Sequence, residues 1–77
     1  MALVARFEER PLTPTRLHGR VLCGYNAVDV QGTRVLQLET YGSDDREIPG
    51  KVSQVIQLDE DGARELKRII ERAFPST

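Results

Sequence analysis

Alternation of apolar and polar residues sets the first expectation. From Arg34 to Tyr41, Leu36 and Leu38 fall on one side of an extended chain and Gln37, Glu39 and Tyr41 on the other. From Ser53 to Leu58, Ile56 and Leu58 share a side with Gln57 opposite. A period of two describes strands of a sheet with one buried face. Past Leu58 the period changes. Ala63, Leu66, Ile70, Ala73 and Phe74 recur at steps of three and four, with Ile69 widening the stripe. Arg64, Glu65, Lys67, Arg68, Glu71 and Arg72 fill the other side, so the pattern predicts an amphipathic helix that covers the leucine face. Asp59 stands where an N-cap belongs, Glu60 and Asp61 suit the positive end of the helix dipole, and Pro75 stops the run.

Upstream the pattern is weaker. Val21, Leu22, Tyr25, Val28 and Val30 have β propensity without clean alternation, which predicts one curved or broken strand between Arg20 and Val30, with a bulge or bend at Gly24. Gln31-Gly32-Thr33 supplies a turn in which Gly32 takes positive φ, and the next strand begins at once, a hairpin signal. Residues 1–19 contain Pro11, Pro14 and Gly19 and are expected to form an arm or loop, with a short strand open as an alternative around Leu3 and Val4. Between Gly42 and Gly50 the charged and hydroxyl side chains predict a long exposed loop, with Pro49-Gly50 setting re-entry into the last strand. Residues 20–77 then read as a single α+β domain, a four-stranded antiparallel sheet followed by one C-terminal helix.

With 77 residues, such a domain buries only a modest core by itself, so a homodimer is expected. The single cysteine, Cys23, rules out a disulfide within the chain and fits a reducing, cytoplasmic setting. No apolar stretch has the length of a membrane span, and Arg6 interrupts the N-terminal apolar residues before they form a signal core. Eleven basic and 12 acidic side chains give a formal charge of −1, without bulk attraction to nucleic acid. The positive bias is local: residues 1–23 hold four Arg against two Glu.

Candidate chemistry is sparse. His18 is the only histidine and has no nucleophile in an activating context. Asp44, Asp45 and Glu47 lack the spacing of a calcium loop, and the glycines form no phosphate-binding loop at a strand-to-helix junction. The chain is therefore expected to be non-enzymatic, with no cofactor and no metal. What remains is a half-exposed sheet face expected to carry Tyr25, Gln37, Glu39, Tyr41 and Gln57, with Arg20, Arg34, Arg46 and Lys51 near strand ends or loops. Aromatic platforms with basic edges can hold single strands by stacking and phosphate contacts. Cross-strand packing or a subunit contact is the other use of Tyr25 and Tyr41.

From about Tyr25 to Phe74 the chain resembles the positive cofactor four family of transcriptional coactivators. The resemblance lies in Val30-Gln31-Gly32, in Val35-Leu36-Gln37-Leu38 leading to Tyr41, in Pro49-Gly50, and in Ile56-Gln57-Leu58-Asp59 ahead of the helix. It implies a homodimer that binds single-stranded DNA, with Arg20, Arg34, Arg46 and Lys51 meeting phosphates and Tyr25 and Tyr41 stacking on bases. In that family the residues flanking the turn glycine are usually basic, an Arg precedes the strand-end Tyr, a Trp commonly follows, and a further basic residue precedes the last strand. Here those places hold Gln31, Thr33, Glu39, Gly42 and Gln54. The alternative is a structural or protein-interaction module, a subunit of a larger assembly, that keeps the dimeric fold and has lost nucleic-acid binding.

Overall fold

The computed structural model describes residues 1–42 and 51–76. Its elements are β1 (Ala2–Val4), β2 (Cys23–Val30), β3 (Thr33–Tyr41), β4 (Val52–Leu58) and α1 (Glu60–Ala73). The hairpin forms where the turn chemistry requires it. Gln31 has φ 50° and Gly32 φ 81°, so both central residues are left-handed, as a two-residue turn matched to strand twist demands. Val30 then faces Thr33, and the register runs unbroken to Cys23 opposite Thr40.

The sheet is α+β in class but mixed, and this corrects the expectation of a purely antiparallel sheet. The strand order is β1-β4-β3-β2, with β2, β3 and β4 antiparallel and β1 parallel to β4. A parallel neighbour needs a long connection to bring the chain around. Residues 5–22, which form no helix or strand, supply it and carry the chain from one edge of the sheet to the other. The short N-terminal strand thus belongs to the same sheet as the rest of the chain.

The bulge also lies elsewhere than expected. β2 is continuous through Gly24, whereas the β3–β4 register shifts between Thr40, opposite Gln54, and Tyr41, opposite Val52. Ser53 is the extra residue. Its Oγ lies 2.9 Å from Thr40 Oγ1 and donates to the Thr40 carbonyl at 3.2 Å, which gives a polar side chain at the break two local partners. Gly24 serves another purpose: a Cβ there would lie 2.6 Å from Tyr41 Oη, so the missing side chain leaves room for the tyrosine ring.

α1 begins at the N-cap that the sequence predicts. Asp59 Oδ1 accepts a hydrogen bond from the Gly62 amide at 2.8 Å, satisfying one of the orphan donors of the first turn. Arg64 adds an ion pair to Glu60 one turn back. The helix lies against β3 and β4, and its first turn also meets β1: a Cβ on Gly62 would stand 2.6 Å from the Val4 carbonyl oxygen. The amide of Phe74 bonds the Ile70 carbonyl, and the helix ends ahead of Pro75. Among the described residues the buried apolar side chains are Val35, 5% exposed, and Leu58, 2% exposed, both at the end of the sheet where α1 begins.

Candidate functional site

Partners across a ladder share a face, and this separates the two tyrosines. Tyr25 pairs with Leu38, and Leu38 with Ile56, so Tyr25 stands on the leucine face together with Ala27, Leu36 and Leu58. Tyr41 lies over Gly24, the partner of Glu39, and belongs to the opposite, polar face. The expectation that both rings and Gln37, Glu39 and Gln57 occupy one surface is therefore corrected. The unbroken β2–β3 register fixes the parity of Tyr25 by pairing it with Leu38, whereas the irregular alternation between Val21 and Val30 gave no sound basis for placing it with Gln37 and Tyr41.

The polar face is built from a ladder of amides. Gln57 Nε2 donates to Gln37 Oε1 at 3.0 Å, and Gln37 Nε2 donates to Glu39 Oε2 at 2.7 Å. All three side chains are half-buried, so each bond replaces lost hydration. Asn26, Val28 and Tyr41 surround the same hollow, with a volume of about 190 Å³. Among the described residues, the strand positions that share this face carry one charge, that of Glu39.

The basic candidates scatter. Arg34 pairs with Asp29 opposite it at 3.4 Å, with both side chains largely exposed, so its charge is partly offset where it stands. By register it lies on the leucine face. Arg20 is exposed ahead of β2, and Lys51 is exposed ahead of β4. Arg46 and the polar loop from Ser43 to Glu47 lie outside the described residues. Tyr25 is 78% exposed, whereas Tyr41 is half-buried against Gly24.

A second hollow, of about 510 Å³, lies between the segment after β1 and α1. Phe7 and Leu12 line it from the segment, and Ile69 and Ala73 from the helix, with Glu65 and Arg72 beside them. Reading residues 1–19 as an arm or loop gave no indication that this segment stands beside the helix.

Among the described residues no cluster of His, Cys, Asp and Glu is arranged to hold a metal ion, and no helix is long and apolar enough to cross a membrane. No family model, curated protein or solved structure matches the chain.

Proposed function

We propose that this protein is a non-enzymatic interaction module that works as a homodimer, with its unfinished apolar surface completed by a second copy. The observation that carries the reading is how little the single chain buries. Besides Val35 and Leu58, the large apolar side chains of the described residues stay partly or largely accessible: Ile70 on the helix stripe is 41% exposed and Phe74 is 62% exposed. A compact monomer of 8.7 kDa should expose about 4,700 Å², whereas this chain exposes 7166 Å². Its radius of gyration is 14.5 Å, against about 11.5 Å for a compact chain of this length. Residues 5–22 account for part of the difference. A standard interface asks about 800 Å² of each partner.

Two features weigh against nucleic acid as the partner. Among the described residues the polar sheet face offers one carboxylate and no strand-borne cation, and the tyrosines that would form a stacking platform sit on opposite faces. One observation favours the nucleic-acid reading as the second choice: Tyr25, 78% exposed, shares its face with Arg34.

Light scattering across micromolar concentrations tests the first reading, with an expected mass twice the 8.7 kDa of one chain. Ile70→Asp should shift the population to monomer or unfold it, because a charge buried without a partner is unfavourable by several kcal/mol in order of magnitude. A clean wild-type monomer would overturn the proposal. In parallel, anisotropy with labelled oligonucleotides of about 20 nucleotides, long enough to span several stacking sites, should show no binding at low salt. Single-strand binding that weakens with salt at about 0.7 per phosphate contact and falls in Tyr25→Ala would instead establish the second reading.

A further inference from the structure

The free edge of β2 has the length and side-chain sequence to pair with itself. β2 is the outer strand, eight residues long, without proline, lysine, arginine or a bulge, the devices that usually blunt an edge. Its hydrogen-bonding phase follows from the turn. In a two-residue hairpin the flanking pair, here Val30 and Thr33, exchanges both ladder bonds, so Val28, Asn26 and Gly24 also point their backbone groups toward β3. The Tyr41 amide bonding the Leu22 carbonyl continues this phase. Cys23, Tyr25, Ala27 and Asp29 therefore direct their N–H and C=O groups outward. The Ala27 amide confirms the direction, since it is met at 2.9 Å by Asn26 Oδ1, a side chain standing in for a missing neighbour strand.

We infer that two copies join through antiparallel pairing of their β2 edges, with Asn26 on the two-fold axis, to make one continuous eight-stranded sheet. This rests on the homodimer reading and adds to its apolar contact a pairing of sheet edges with a defined register. In an antiparallel pair about a two-fold axis normal to the sheet, paired residues must share a face and the outward-directed residues must meet one another. The register centred on Asn26 satisfies both conditions. It sets Tyr25 against the small Ala27 of the other copy and Val28 against Gly24, so each large side chain meets a small one in both halves. Asn26 meets Asn26, amide to amide, once the Ala27 amide is taken over by the incoming strand. The only charged residue of the strand, Asp29, falls opposite Cys23 rather than opposite its own copy, and like charges do not face each other. The register centred on Ala27 is poorer: it opposes Tyr25 to Asp29 and Asn26 to Val28. Tyr25, exposed in the single chain, then covers a cross-strand neighbour.

Cross-linking reads the register directly. On the axis, two residues at position 26 form a non-hydrogen-bonded pair with Cα atoms about 4.5 Å apart, within the range a disulfide spans. Copies of residue 28 would be about 14 Å apart by strand rise. With Cys23 replaced by serine throughout, Asn26→Cys should oxidise to a covalent dimer in high yield, while Ala27→Cys and Val28→Cys should remain largely uncoupled. Preferential coupling at position 27 or 28 would overturn the Asn26 register. A protein that is dimeric by light scattering but does not couple at 26 would refute the edge pairing and leave the homodimer standing. A monomer that couples at none of the three positions would refute both and leave the edge to a strand from another protein.

Discussion

Gly62→Ala sets two effects of opposite sign against each other within the first turn of α1. In an exposed helix, alanine in place of glycine gains up to about 1 kcal/mol by reducing the conformational freedom of the unfolded chain. Here the added Cβ would lie 2.6 Å from the Val4 carbonyl oxygen and 3.1 Å from Asp59 Oδ1. The first contact is with backbone that is held in the parallel ladder beside β4, so it cannot swing away as a side-chain tip would. The second is with the cap itself, because Asp59 Oδ1 accepts the Gly62 amide. Overpacking of this kind costs about 1–3 kcal/mol, and loss of an N-cap about 1 kcal/mol. The clash and the weakened cap outweigh the propensity gain, and a net loss of about 1–3 kcal/mol is expected. For a chain of this size that corresponds to a fall in Tm of roughly 4–24 °C, at 4–8 °C per kcal/mol. Thermal melts of wild type and Gly62→Ala at one fixed concentration measure it, because association makes Tm depend on concentration. Gly19→Ala, where no atom lies within 4 Å of the new Cβ, should leave Tm nearly unchanged. A Gly62→Ala protein more stable than wild type would refute the close contact between α1 and β1.

Four further outcomes follow from the same geometry. Asp59→Ala should lower stability by about 1 kcal/mol in urea melts, with Asp59→Ser restoring most of it, because serine also caps. Gln31→Asn should raise stability by up to about 1 kcal/mol, since Gln31 holds φ 50° and asparagine visits that region more readily; no change would mean that the turn relaxes around either residue. Gly24→Ala should displace the Tyr41 ring, visible as a shift of its ring-proton NMR signals with a loss of about 1 kcal/mol, whereas Arg34→Ala should change stability by less than about 1 kcal/mol because the Asp29 pair is exposed.

Local signals in the sequence were sufficient for the helix and the hairpin. Asp59 followed by two acidic residues, the three-and-four spacing to Phe74, and Gly32 between two extended runs each act through their own neighbours, so α1 and the β2–β3 turn were legible without knowledge of the rest of the chain. Alternation likewise assigned Leu36 and Leu38 to one face and Gln37 and Glu39 to the other. The direction of β1 was not legible, because a three-residue strand has no pattern that distinguishes parallel from antiparallel pairing; it shows only in the register that sets Ala2, Leu3 and Val4 beside Ile56, Gln57 and Leu58. The face of Tyr25 was not legible either. A strand without clean alternation reveals its parity only when a neighbour fixes the register, and β3 did so by placing Leu38 opposite Tyr25. Gly24 looked like a bulge and proved to be room for Tyr41, while the bulge went to Ser53, where β4 returns to pair with the end of β3. Residue type and spacing thus set which elements form, since those depend on contacts a few positions away. Which surfaces they share depends on pairing between distant strands, and only the tertiary structure decides that.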